Sequence, residues 1–537
     1  MAPSDWESLS LREKIGQTML IKVTPELVHY SEDELAAFLT FFPVGGIFLC
    51  REGLEDAAGD RERVAGFITR CRRVTKTPLL FAADMENGCH SLAEDVPPLP
   101  SLMALGATGD PELAYAYGRS IALGARSLGI DLALSPVADL NLNPLNPITN
   151  IRSIGDDPEA AVKLLTALVR GMQEEGLAAT AKHFPGDGVD YRDQHLVTTA
   201  NSLSWEDWQR KHGAVFRALI EAEVETVMTG HISLPARQTP TKEGRYLPAT
   251  LSPELTTGLL KGEMGFRGVV ISDALDMGGF LKWYGRERGE IECFLAGTDM
   301  LLWPGLGYFD AMEQAISEGK VPRERLEEAL ARIRRLKERL GLFGAGREAK
   351  ELTEGEREYI EETAAEVAQR SLTLVCDRKG FLPLHRCKGR KALLIVVSAE
   401  EGALAEMSVF KEELAARGLV VEARWNIRPA ELETVHGGYD LIFYALAGRP
   451  HAPRGPLSYS GPAADSIWAA LSYGAEKSIV VSFGSPYYYG EYFEPAEVYI
   501  NAYSAAPATQ KAVARAIFGE IGFPGRSPVK IGLEKGF

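Results

Sequence analysis

Along the first two-thirds of the chain, short apolar runs alternate with longer amphipathic stretches. The runs that read as strands are TMLIKV (18–23), VGGIFL (44–49), PLLFAA (78–83), IDLALSP (130–136), LAATAKH (177–183), VETVMTG (224–230), GVVIS (268–272) and TDMLL (298–302). Between them lie helical patterns such as ELAYAYGRSIALGARSLG (112–129) and DPEAAVKLLTALVRGMQEEG (157–176). The second opens on Asp-Pro and closes at a glycine, as helix termini often do. Strands that alternate with helices imply a parallel sheet, and eight such units imply a closed (β/α)8 TIM-like barrel. A charged helix, PRERLEEALARIRRLKERLG (322–341), ends this region, with Leu and Ile recurring at helical spacing to mark a face packed on the barrel. The polar, Gly-containing stretch 343–358 then reads as a linker. Six further apolar runs follow: 371–376, 392–397, 419–425, 440–446, 478–483 and 497–504. They alternate with helical segments, including 411–418 and 508–522, and predict a smaller α/β/α sandwich domain. The predicted organisation is a barrel over 1–342, a linker over 343–366 and the sandwich over 367–537. There is no internal repeat.

Length and composition support this division. A chain of 537 residues exceeds one ordinary core, and its 45% apolar and 25% charged residues are the balance of a folded protein. The formal charge of −16 argues against nucleic acid as a partner, because phosphate-rich surfaces are gripped by excess Lys and Arg. Cys50, Cys71, Cys89, Cys293, Cys376 and Cys387 are scattered with no CxxC or Cys/His metal spacing, which suggests reduced thiols in a cytosolic protein. The N-terminal MAPSDWESLSLREKIGQ has no apolar core or cleavage site, and no later segment reaches membrane-spanning length. The expectation is a cytoplasmic protein, monomer or homodimer, without membrane contact.

In a barrel of this type the reactive groups sit just after the strands. Asp84 and Glu86 follow the third strand, Arg152 lies in the long loop after the fourth, Lys182 and His183 end the fifth, His231 follows the sixth and Asp273 the seventh. Each alone has an ordinary explanation, a helix cap or a hydrogen-bonded core histidine. Their convergence on one rim is what points to a site. The most informative stretch is AKHFPGDGVDYRDQHL (181–196), whose glycines and proline force an irregular loop. Asp193 and His195 are two residues apart within it. In an extended segment such side chains point the same way, so a carboxylate can orient an imidazole whose ordinary pKa of about 6.5 suits proton transfer near neutrality. The plain alternative is an incidental surface ion pair.

KHFPGDG followed by DQH closely resembles the loop of family 3 glycoside hydrolases of the β-N-acetylglucosaminidase branch. The segments ALGATGDPELA (104–114), LALSPVADLNLNPLNPITNIRSIGDDPEAA (132–161), MTGHISLPA (228–236) and PATLSPELTTGLLKGEMGFRGVVISDALDM (248–277) are similar to family segments in the same order. SFGSPYYY (482–489), YINAYS (499–504) and AIFGEIGFPGRSPVKI (516–531) resemble the sandwich domain that many members carry. The resemblance implies a retaining, exo-acting hydrolase of terminal β-linked N-acetylglucosamine. In it Asp273 is the nucleophile and His195 the acid/base, with Asp193 as its orienting partner. Asp84, Arg152, Lys182, His183 and His231 are implied contacts to the sugar, with Lys182 and Arg152 expected to keep Asp273 ionised. Asp276, three residues on, is a second nucleophile candidate or, as its position favours, a helix-start carboxylate.

Two positions depart from the family. Asp187 stands where many relatives place a second histidine, either altering the subsite beyond the scissile bond or simply filling a Gly-Asp-Gly turn. DMENGCHSL (84–92) replaces an Asp-x-Glu-Gly-Gly-Arg type of sequence, which bears on leaving-group recognition. The alternatives are a phosphorylase releasing sugar-1-phosphate, a broad β-glucosidase and a catalytically inactive sugar-binding protein. The loop 448–466, with His451 and Arg454, reads either as a surface loop or as a lid. No metal or nucleotide fingerprint is present, so no cofactor is expected, and the partner is a small carbohydrate.

Overall fold

The computed structural model describes residues 3–343, 348–448, 450 and 458–532. The first region contains β1 (Met19–Lys22), β2 (Gly46–Leu49), β3 (Leu80–Ala83), β4 (Leu132–Ala133), β5 (Thr180–Phe184), β6 (Thr199–Ala200), β7 (Thr226–Thr229), β8 (Ile232–Ser233), β9 (Val269–Ser272) and β10 (Leu301–Leu302). One parallel sheet runs β10-β1-β2-β3-β4 and another β5-β7-β9. Parallel bridges from Leu132 to Ala178 and Val137 to Lys182 on one side, and from Ile271 to Met300 on the other, close the two sheets into the barrel that the apolar runs predict. Strands β6 and β8 form a separate small ribbon over the strand ends.

The helices between strands begin and end where their caps dictate. Asp110 and Asp157 each accept the N–H groups of the first turn, with Pro111 and Pro158 at the first helical position. Pro111–Leu128 stops at Gly129, which is left-handed. The stretch expected as linker is shorter than predicted. Thr353 and Glu356 form a capping box that starts a helix, Glu354–Ser371. This helix packs on Leu102–Thr108 and Pro111–Leu128 of the barrel and on Pro507–Ile517 of the second region.

The second region has β11 (Thr373–Asp377), β12 (Lys391–Val397), β13 (Val420–Trp425), β14 (Leu441–Leu446), β15 (Ser478–Ser482) and β16 (Val498–Asn501) in the order β11-β16-β15-β14-β12-β13. All neighbours are parallel except β11 against β16. Alternate residues of β12 enter two different apolar clusters, Leu394 and Val396 on one face and Leu393 and Ile395 on the other. A sheet covered on both faces needs such uninterrupted apolar strands. The two regions meet through a largely buried contact in which Tyr487, Tyr503 and Val529 join the barrel's own apolar cluster.

None of the six cysteines is in a disulfide. Among the described residues, no helix is long and apolar enough to cross a membrane. The expected lid candidates His451 and Arg454 lie outside the described residues.

Candidate active site

The ends of the barrel strands surround a cavity of about 170 Å3 lined by Asp84, Arg152, Lys182, His183, His195, Asp273, Asp276 and Trp303, with Leu134, Met228, Met277 and Leu302 among the apolar walls. It lies beside a wider chamber of about 770 Å3. Asn87, His90 and Leu99 of the barrel line that chamber, as do Phe483, Ser504 and Pro507 of the second region. Asp84, Arg152 and His195 border both spaces. Seven of the eight sequence-predicted site residues are therefore gathered within one shell of the cavity, six on its wall and Asp193 directly behind His195.

Three clusters make up the site. In the first, Lys182 Nζ donates to Asp84 Oδ1 at 2.7 Å and pairs with Glu86 Oε1 at 2.8 Å. Arg152 grips Glu86 through Nε and Nη2, both at 2.8 Å. Burial alone would raise the Glu86 carboxyl, but the two cations more than offset it and hold it well below the usual carboxylate range. Asp84 keeps an exposed carboxylate at the rim, able to accept from sugar hydroxyls.

The second cluster orients His183. Asp139 Oδ2 accepts from Nδ1 at 2.7 Å, while Asp139 Oδ1 accepts from the backbone N–H of His183 and of Asp187. Burial would push this imidazole down, yet the Asp139 carboxylate more than offsets it and raises it above its ordinary value. Asp139 is lowered in turn, despite its own burial.

The third cluster is the Asp193–His195 pair. The segment is a turn rather than the extended stretch expected. One oxygen, Asp193 Oδ1, accepts from both the His195 N–H at 2.8 Å and its Nδ1 at 2.7 Å, an Asx-type turn. The carboxylate can only accept, so Nδ1 carries the proton and Nε2 is the atom left for chemistry. The His195 side chain is 31% exposed, whereas that of Asp193 is 1% exposed.

Asp273 follows β9 and is 9% exposed, with Oδ1 accepting from Ala274 N at 2.8 Å. Burial pushes its carboxyl up, but the imidazoles of His183, His231 and His195 and the Ala274 N–H outweigh that, and the net direction is down. The His183 imidazole is raised toward its charged form, whereas that of His231 is lowered. The expected influence of Lys182 and Arg152 on Asp273 is replaced by this imidazole field, because both cations are already committed to Asp84 and Glu86.

His231 does not line the cavity. It is fully buried, with Nδ1 on Thr250 Oγ1 at 3.0 Å and Nε2 on Ala274 O at 2.9 Å. Both ring nitrogens are occupied, Nε2 by the turn after Asp273 and Nδ1 by Thr250, so a direct sugar contact is corrected to a supporting one. Asp187 is likewise behind the cavity. It is 2% exposed, and its Oδ1 accepts from Asn146 Nδ2 and Gly188 N, which is the turn-filling reading and not an altered subsite. Asp276 is exposed and borders the cavity ahead of the helix Gly278–Tyr284.

Sequence reasoning passed over Asp139 and Trp303. An acid in the apolar run LALSPVADL needs a buried partner, which is the signal that marks Asp139. Trp303 stands just past the eighth barrel strand, left-handed at φ 60°, with Lys22 Nζ 4.3 Å from its ring centroid. Among the described residues no group of His, Cys, Asp and Glu could hold a metal ion.

The profile described as the glycosyl hydrolase family 3 N-terminal domain matches residues 10–336. A Cellulomonas fimi protein named beta-N-acetylglucosaminidase/beta-glucosidase is 33% identical over 96% of this chain and 93% of its own length. A structure of a family 3 beta-N-acetylglucosaminidase from Paenibacillus sp. str. FPU-7 superposes with a TM-score of 0.85 at 27% identity, covering 98% of this chain and 99% of that one. A structure described as the beta-glucoside phosphorylase BglX bound to 2FGlc superposes with a TM-score of 0.86 at 30% identity, covering 98% and 95%.

Proposed function

Because the chain belongs to glycoside hydrolase family 3, we propose that it removes terminal β-linked N-acetylglucosamine with retention of configuration. In this reading the Asp273 carboxylate attacks the anomeric carbon while the His195 imidazolium gives its Nε2 proton to the departing oxygen. A covalent glycosyl–aspartate forms. Neutral His195 then takes a proton from water, and that water displaces Asp273. Asp193 holds the ring and stabilises the imidazolium, and Asp84, Arg152, Lys182 and His183 bind the sugar. The observation that carries the reading is that His195, fixed by Asp193 at 2.7 Å, and Asp273 face the same small cavity from different strands. The lowered Asp273 carboxyl supports a nucleophile that is ionised at neutral pH.

Phosphorolysis is a second reading, supported by the likeness to the beta-glucoside phosphorylase. A neutral imidazole repels an attacking phosphate less than a carboxylate base does, so the same site suits either nucleophile. A β-glucosidase activity is supported by the double name of the Cellulomonas fimi relative. Turnover of p-nitrophenyl N-acetyl-β-glucosaminide and of the corresponding glucoside, each with and without inorganic phosphate, separates the three. Hydrolysis predicts free N-acetylglucosamine at a rate indifferent to phosphate. Acceleration by phosphate with sugar-1-phosphate among the products selects phosphorolysis, and a much faster glucoside selects the glucosidase. No turnover of either glycoside rejects the reading.

A further inference from the structure

The second region touches the barrel behind the loop that delivers Arg152. Asn141, in the loop after β4, is 2% exposed. Its Oδ1 accepts from Thr149 Oγ1 and from the backbone N–H of Asn150, and its Nδ2 donates to Tyr487 Oη of the second region. Asn150 is 1% exposed and donates from Nδ2 to Ser485 Oγ at 3.1 Å. Ser485 Oγ also accepts from Tyr487 N, and Ser485 O accepts from Ser482 Oγ at 2.7 Å, which ties the contact to the end of β15. The loop turns sharply here, with Asn150 left-handed at φ 34°, and the short turn Asn150–Arg152 ends on the guanidinium that grips Glu86 and borders both cavities. A left-handed asparagine persists only where its surroundings hold it, and here the hold crosses from the second region.

We propose that Tyr487 and Ser485 are positioning residues for the sugar site, fixing Arg152 through Asn141 and Asn150. This inference rests on the reading of Arg152 as a sugar contact. Neither residue touches the cavity, and neither loop reads as catalytic in sequence. Buried hydrogen bonds across an interface select one arrangement because an unmade partner inside is costly. Arg152 is thereby held at one angle before substrate arrives, and the second region contributes to binding without placing a group on the sugar.

The test is a double-mutant cycle between Tyr487→Phe, which removes only the hydroxyl, and Arg152→Ala, read by KM, kcat and thermal melting on p-nitrophenyl N-acetyl-β-glucosaminide. Tyr487→Phe is expected to raise KM about tenfold, equivalent to about 1.4 kcal/mol, with kcat within about twofold. In the Arg152→Ala background the same change is expected to add less than about twofold. Ser485→Ala, which leaves every ring in place, should repeat the pattern and stands in if Tyr487→Phe is poorly folded. A merely structural hydroxyl lowers the melting temperature and multiplies KM equally in both backgrounds, which overturns the inference. A costly Arg152→Ala beside a silent Tyr487→Phe and a silent Ser485→Ala also overturns it, and leaves the sugar-contact reading standing. An Arg152→Ala enzyme with unchanged KM overturns that reading, and this inference with it.

Discussion

At the strand starts, Lys337 on the helix Arg323–Arg339 donates to Gln17 Oε1, Gly45 O and Pro78 O at 2.6, 2.7 and 2.6 Å. Nearby Asp299 accepts from Lys261, Arg325 and the Val270 N–H, and Asp131 accepts from Arg72 and the Phe81 N–H. At the strand ends the residue types are the same, but the partnering is looser. Asp273 has the Ala274 N–H at one oxygen, and His195 Nε2 makes no hydrogen bond among the described residues. Asp84 keeps an exposed carboxylate. A buried charge bonded to several neighbouring strands joins one to the next. A charge with a valence left over, facing a cavity, is available to a ligand. The barrel thus carries two populations of charged side chains, separated by the length of its short strands, and they should respond to substitution in opposite ways.

The sharpest way to break this contrast is Asp273→Asn. Asparagine keeps the acceptor for Ala274 and the side-chain volume but cannot form the glycosyl ester. Loss of kcat/KM by at least about 10^3-fold is expected, with a stability change within about 1 kcal/mol. Steady-state kinetics beside a thermal melt read both quantities. An active variant places the nucleophile elsewhere, and an inactive but badly destabilised one shows that the open end also carries the fold.

Lys337→Met is the opposite experiment. It fills the space with a similar chain and strands three buried acceptors, so a loss on the order of 3 kcal/mol is expected. The surviving folded enzyme should keep its kcat and KM. Altered kinetics at unchanged melting temperature would remove the distinction between the two ends.

How much of this was readable beforehand also follows the two ends. Apolar runs mark all eight barrel strands, because a strand covered on both faces must be apolar, and an Asp-Pro start marks the helix Pro158–Glu174. Lys182, His183 and Asp273 are legible as polar residues where an apolar run stops, and Asp193 and His195 as an Asp-x-His pair in the Gly/Pro-broken loop that follows. What stayed hidden were the partners contributed from elsewhere in the chain. Asp139 meets His183 from 44 residues away, and Tyr487 meets Asn141 from 346. No local spacing encodes such pairs. His231 was misplaced for the same reason, since its position after a strand looks catalytic until Thr250 and Ala274 are seen to occupy both nitrogens. The linker was overextended because the capping pattern at Thr353 and Glu356 sits inside a stretch of uniformly polar composition.

Asp187 tests the contrast most finely, because it lies at the open end yet is buried behind the cavity wall, with Oδ1 held by Asn146 and Gly188. Burial, with Asp139 adding to it, pushes its carboxyl up to about 6. The folded protein therefore keeps a proton there that the unfolded chain releases near the ordinary value of about 3.9. Between those two values the native state binds more protons, so this group draws stability down as pH rises from about 4 to about 6, and the cost is then constant at higher pH. The amide introduced by Asp187→Asn does not titrate, and its carbonyl can still accept from Asn146 and Gly188. Melting this variant and the wild type side by side from pH 4 to 8 should show the variant gaining across the lower half of that range and level above it. The difference between those two values corresponds to a plateau on the order of 3 kcal/mol, with kcat/KM within about twofold of wild type. A flat difference in stability joined to a large change in KM would mean that Asp187 reaches the substrate after all. The open population would then extend one layer deeper than the cavity wall.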